Sequence, residues 1–145
     1  MPTLLGKKYD IWHRGYFPQM LNEDYPIWER YLGEHCREFL WFYYNVHVGG
    51  FLNSAPEIPE SIQKAWWKST AKRIDAIGEK EKEIWIIEVS ARPGFRAVGQ
   101  VMTYQYLWRR DPKIDKPCKT MLVGRMLDDD LEAVMMEMGI AYIEI

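Results

Sequence analysis

The stretch Arg73-Ile74-Asp75-Ala76-Ile77-Gly78, followed by Ile84-Trp85-Ile86-Ile87-Glu88-Val89-Ser90, decides how this chain is read. Both runs are short and apolar, and turn or charged residues bound them, which is the signature of a β-strand. The charged link Glu79 to Glu83 is long enough only for a turn, so the two runs predict an antiparallel hairpin. The continuous apolar run Ile84-Trp85-Ile86-Ile87 reads as a central strand covered on both faces. Each strand carries one acid, Asp75 and Glu88. A carboxylate closing so apolar a strand is costly unless it is partnered. Side chains alternate along a strand, so Ser90 shares the face of Glu88.

Upstream of the hairpin, Trp28, Leu32, His35 and Phe39 recur at helical spacing. They predict a first helix from Pro26, a favoured first-turn residue, to about Phe42, with Asp24 or Asn22 near its cap. Residues 1–25 lack periodicity and read as an extended arm anchored by aromatics such as Trp12, Tyr16 and Phe17. Tyr44 to Val48 predicts a strand, Asn53 to Pro59 a loop, and Ser61 to Trp67 a short helical turn.

Downstream, Pro93-Gly94 breaks the chain ahead of a helix over Phe95 to Arg109. One side of it carries Ala97, Gln100, Val101, Tyr104 and Trp108. Another carries Phe95, Gly99, Met102 and Tyr106, so the helix is expected to pack on two faces, with Gly99 allowing close approach to the sheet. Thr120 to Val123 predicts a strand. Asp128-Asp129-Asp130 caps a short helix that Gly139 closes, and Ile140 to Ile145 predicts a last strand.

The 145 residues fit one domain, and 48% hydrophobic with 28% charged residues is a globular composition. No apolar run is long enough to span a membrane, and Met1 to Asp10 has no secretory h-region. Cys36 and Cys118 match no metal spacing and read as reduced thiols. His13, His35 and His47 form no ligand cluster, so zinc is not expected. The net charge is −2, but Arg92, Arg96, Arg109, Arg110, Lys113, Lys116 and Lys119 crowd between Ser90 and Thr120. They read either as a phosphate-contacting face or as a solvated loop and helix end. Seven tryptophans, nine tyrosines and eight methionines exceed what so small a core holds, so part of that surface is expected at a partner interface.

The helix–strand–strand–strand–helix–strand order, with Asp75 on the second strand and Glu88 on the third, resembles the PD-(D/E)xK nuclease superfamily over about Pro26 to Val123. It is similar in particular to short proteins of tailed bacteriophages. There the third strand ends in Glu-Val-Lys-Pro and a Gly-Gln-x-x-x-Tyr helix follows; here stand Glu88-Val89-Ser90-Ala91-Arg92-Pro93, then Gly99-Gln100 and Tyr104. The Gln100-x-x-x-Tyr104 spacing also looks like the RecB-type branch. The resemblance implies an α/β fold, a restriction-endonuclease-like αβββαβ core whose mixed sheet has helices on both faces. It implies a single domain over residues 26–145 behind the arm at 1–25.

The resemblance also implies a site. Asp75, Glu88 and a strand carbonyl, that of Val89, would bind Mg²⁺, with Gln100 and Tyr104 beside it. The lysine that activates water in the family is replaced by Ser90, which is too short and uncharged for that role. Arg92 or Arg96 would bind phosphate but, staying protonated, cannot act as a base. Mg²⁺ is the implied cofactor, with a metal-free site the other outcome. Glu29 or Glu38 is a candidate for a further acid, although a solvated face suits both better. His47 is expected to carry no chemistry, and Trp66-Trp67 to be core and interface. Two functions follow. One is a phage protein with impaired catalysis, a virion or connector component or a DNA-handling factor, in the host cytoplasm or the virion. Its partners would be other phage proteins, copies of itself or DNA, and no membrane. The other is an active Mg²⁺-dependent DNA endonuclease.

Overall fold

The computed structural model describes residues 3–50 and 55–145. Among them the order is α1 (Tyr25–His35), β1 (Trp41–Val48), α2 (Glu60–Thr70), β2 (Lys72–Glu79), β3 (Ile84–Ser90), α3 (Phe95–Arg110), β4 (Cys118–Gly124), α4 (Asp129–Glu137) and β5 (Ile140–Glu144). The strands form one sheet in the order β1-β2-β3-β4-β5. β1, β2 and β3 are antiparallel neighbours, and β4 and β5 continue in parallel. The architecture is therefore α/β with a mixed sheet, and the doubly covered strand is the central one. No helix among the described residues is long and apolar enough to cross a membrane.

The alternation of β3 divides the core. Ile87 and Val89 join Phe42, Tyr44, Met121 and Val123 beneath α1, while Ile84 and Ile86 join Tyr43 and Ile77 beneath Tyr104 and Trp108 of α3. Leu122 and Ile140 complete that second face under α3 and α4. Much of the aromatic excess is spent on the α1 side. Trp28 stacks on Tyr31 with ring centroids 5.2 Å apart, meets Phe42 edge-on, and donates its indole N–H to the Tyr44 hydroxyl at 3.1 Å. Phe17 is fully buried in the same cluster, so the arm adds a core residue as well as its bridges Leu4↔His47 and Tyr9↔Phe42 beside β1.

Several expectations need correction. The first helix ends at His35 and not near Phe42, because a 3₁₀ turn over Cys36–Glu38 leads into the sheet. Leu40 N–H already donates to Glu79 C=O at 2.8 Å, so pairing with β2 overrides the helical period. The turn expected over Ser61 to Trp67 is an 11-residue helix. Asn53, where the expected loop begins, lies outside the described residues. Gly99 is exposed, and a Cβ added there would meet no atom within 4 Å, so it mediates no close approach. The second face of α3 does not pack within the chain either, since Phe95 is 85% and Tyr106 64% exposed. Among the glycines that do permit close approach is Gly124, at the end of β4. A Cβ there would lie 2.6 Å from Ser90 C=O and 3.0 Å from Pro93 Cγ. Asp128 caps α4 as expected, accepting from the N–H groups of Asp130 and Leu131.

Candidate functional site

The sheet is interrupted where Asp75 sits. The β1–β2 ladder skips the Asn45/Asp75 position, and Asn45 takes a left-handed φ of 53°, which asparagine tolerates better than most residues. The β2–β3 ladder stops at Ala76↔Ile87. One further step in that register would set Asp75 opposite Glu88. In place of a ladder partner, Val89 N–H donates to Asp75 Oδ2 at 2.9 Å. The side chains of Asp75 and Glu88 hydrogen-bond each other. The hairpin expectation therefore holds, and both acids share one site on the α3 side of β3.

Two adjoining carboxylates cannot both ionise cheaply away from water. Burial, then the negative charge of Asp75 and its hydrogen bond, push the Glu88 carboxyl up to about 10, while Arg96 pulls it down. Burial also raises Asp75, and its bonds to Glu88 and to Val89 N–H partly offset this. Burial thus favours the protonated form of both carboxyls, and Glu88 holds its proton at neutral pH. Glu88 Oε1 is buried with no hydrogen-bond partner.

A cavity of about 380 Å³ opens onto the pair. From α3, Arg96, Gln100 and Tyr104 line it at successive i, i+4 positions, which one helical face brings together. Gln100 lies beside the Tyr104 phenol, whose pKa burial and the nearby Glu88 and Asp75 raise, so it stays protonated. Ser90 lines the cavity, as the alternation from Glu88 requires. Arg92 does not. It lies past the end of β3, where strand alternation no longer applies, and is exposed. Of the two arginines expected to meet phosphate, the structure brings Arg96 to the site.

The cavity also holds residues that the sequence reading missed. Arg73, near Asp75 on β2, is one. Asp24 is another; it stands at the N-cap of α1, as expected, and corrects the expectation of where a further acid comes from. It precedes α1 but makes no side-chain cap there; its Oδ1 accepts from Ala91 N–H at 3.0 Å. It and Glu23 are the carboxylates that the turn before α1 places at the site. Glu29 and Glu38 do not line the cavity, and Glu38 pairs instead with His35 and Lys80. Burial raises the Asp24 carboxyl to about 6, with Ala91 N–H opposing and the charges of Asp75 and Glu23 adding to the rise. Only the path of the chain over the sheet end could have revealed Asp24, because next to Pro26 it has the sequence context of a cap. His47 is buried, packs on Trp67 and lines no part of the cavity, and Trp67 is a buried anchor.

The donor set is compatible with a hard cation. Two carboxylates that must otherwise trap a proton, one with an unpartnered oxygen, are what Mg²⁺ or Mn²⁺ would neutralise. Among the described residues, no three His, Cys, Asp or Glu side chains group closely enough to form a complete ligand set. Magnesium does not require one, since it commonly keeps waters and uses one or two carboxylates with substrate phosphate. No family model, no curated protein and no solved structure matches this chain.

Proposed function

We propose that the cavity is a divalent-cation and phosphodiester site on a PD-(D/E)xK-like scaffold, with a restriction-endonuclease-like core, whose catalysis is impaired at Ser90. In this reading the chain is a bacteriophage protein that works by binding, as a virion or connector component or as a DNA-handling factor. Its partners are other phage proteins, further copies of itself, or DNA, in the host cytoplasm or in the particle. The observation that carries the reading is the buried Asp75–Glu88 pair beside Gln100 and Tyr104 in one cavity, with a serine where a lysine would complete the set.

Asp75 and Glu88, with the Val89 carbonyl, would hold the cation. A bound Mg²⁺ polarises a phosphate oxygen and lowers the pKa of its water. The chain's own residues divide the remaining work. Arg96 and Arg73 supply positive charge for phosphate oxygens and cannot exchange a proton at neutral pH. Gln100 and the Tyr104 phenol offer polar groups beside Glu88. Ser90 is a neutral hydroxyl on a short stem, which neither reaches far into the cavity nor offsets charge. The arrangement suits binding more than turnover.

The second reading is an active Mg²⁺-dependent endonuclease. It is favoured by Arg96, whose charge acts on Glu88 from α3 and supplies a cation that Ser90 lacks. One experiment separates the two: incubation of the purified chain and its Asp75→Ala variant with single- and double-stranded DNA in Mg²⁺ or Mn²⁺. Impaired catalysis predicts little cleavage by either. Efficient cleavage by the unmodified chain, lost in Asp75→Ala, would establish the nuclease.

A further inference from the structure

Lys64 and Lys68 stand one turn apart on α2, where residues four apart lie side by side. Both are exposed. Among the described residues neither comes within 4 Å of a carboxylate, whereas Lys80, Lys113, Lys116 and Lys119 are all ion-paired. Glu60, one turn ahead of Lys64, forms no such pair with a described residue either.

The helix is pinned by Trp67, its one buried residue, whose indole N–H donates to Gly49 C=O at 2.8 Å. Trp66 lies roughly 160–200° around the helix from the two lysines, so it belongs to a different side. Directly after α2 come Lys72, exposed at the start of β2, and Arg73, which lines the cavity. Lys68 and Arg73 both act electrostatically on His47, which places the lysine end of α2 and the arginine in one neighbourhood. Arg96 faces the cavity from α3. Lys68 and Arg73 thus share one neighbourhood around His47, and Arg73 and Arg96 share the cavity that holds the acids.

We propose that Lys64, Lys68 and Lys72 form a contact surface for the sugar–phosphate backbone of a single nucleic-acid strand, which Arg73 and Arg96 lead into the cavity. The inference rests on the reading of that cavity as a phosphodiester site. A single file of lysines tracks one backbone, and unpaired cations are free to release the counterions that drive such binding. With Trp66 turned away, no aromatic platform among the described residues lies along the lysines, so binding there is independent of base sequence.

The test is fluorescence anisotropy of a labelled oligothymidylate with the full chain in EDTA, at salt from about 50 to 200 mM. The Lys64→Glu/Lys68→Glu variant should bind on the order of tenfold more weakly. Its plot of log affinity against log salt should be shallower by about 1.4, the contribution of two single-strand phosphate contacts. Lys64→Gln/Lys68→Gln should show the same change of slope with a smaller loss of affinity. Far-UV circular dichroism checks that both variants fold. Equal affinity and equal slope for variants and wild type would overturn the surface. Mg²⁺ titration by calorimetry separates this failure from that of the cavity. Mg²⁺ binding by a wild-type chain that ignores the oligonucleotide refutes the lysine surface alone. Oligonucleotide binding that the lysine variants lose, without any Mg²⁺ binding, refutes the metal site alone.

Discussion

Glu88→Gln tests whether the Asp75–Glu88 pair holds a proton at neutral pH. The folded chain keeps the Glu88 carboxyl protonated up to about 10, whereas in the unfolded chain it titrates near its ordinary value of 4.5. Below the ordinary value both states bind the proton, and this group adds no pH dependence. Above it, only the folded state retains the proton, so rising pH favours unfolding. The ceiling is about 1.4 kcal/mol per pH unit for one whole proton, or about 2 kcal/mol between pH 7 and 8.5. Asp24, at about 6, has titrated below that window. His47 is held low by burial and the charge of Arg73, so its contribution fades above its ordinary 6.5. Glutamine can donate to Asp75 as the protonated acid does, and it releases no proton on unfolding. Urea denaturation followed by tryptophan fluorescence at several pH values should give a falling wild-type stability across the window and a flatter profile for Glu88→Gln. Adding Mg²⁺ at the alkaline end should restore wild-type stability, because the cation takes the place of the proton, and should help the variant less. Equal pH slopes in the two chains would refute the trapped proton.

Three further outcomes are expected. Ser90→Lys restores a cation on the face of Glu88, and recovery of cleavage should approach part of the 10²–10⁴-fold typical of one positioned acid–base group, about what a gel assay with Mn²⁺ resolves; Glu88→Ala in that background should abolish it. Phe17→Ala should lower unfolding free energy by about 3–5 kcal/mol in urea melts, since Phe17 is fully buried among Tyr25 and Tyr44, and a loss under about 1 kcal/mol would make the arm a surface feature. Asp24→Asn keeps an oxygen for Ala91 N–H and removes the carboxyl that titrates at about 6. Any residual cleavage should then fall by about 10²–10⁴, and an unchanged rate would place the base elsewhere.

What was legible in the sequence follows how local the signal is. β3 begins at Ile84 and ends at Ser90, as its apolar run and its flanking charges and turn require. The α4 cap is a contact between Asp128 and the next turn, so it too could be read directly. The end of α1 could not, because Leu40 answers to Glu79 across the sheet and not to its own helical period. The length of α2 was hidden because Trp67 is its one buried residue, which leaves no apolar stripe to count. At the site, Asp75, Glu88, Gln100 and Tyr104 come together through strand alternation and helical spacing. Arg92 drops out where the strand stops. Asp24 and Arg73 enter through tertiary geometry, one on the turn before α1 and the other beside a break in the β1–β2 ladder.

The charges in the cavity show what Ser90 leaves to its neighbours. Its two cations, Arg73 and Arg96, are arginines, so positive charge for a phosphate is present without a lysine at the position of Ser90. What Ser90 does not supply is a group that passes protons near neutral pH. An arginine does not deprotonate near neutral pH. Glu88 keeps its proton up to about 10, and the buried Tyr104 phenol keeps its own more firmly still. Asp24, near 6, is the cavity carboxyl poised to exchange a proton close to neutrality, and it spends one oxygen on Ala91 N–H. Binding and turnover therefore make different demands on this site. Affinity for a cation and a phosphate depends on the pair and the arginines. Proton exchange in the unmodified chain would draw on Asp24, a carboxyl built into the turn before α1, and not on Ser90.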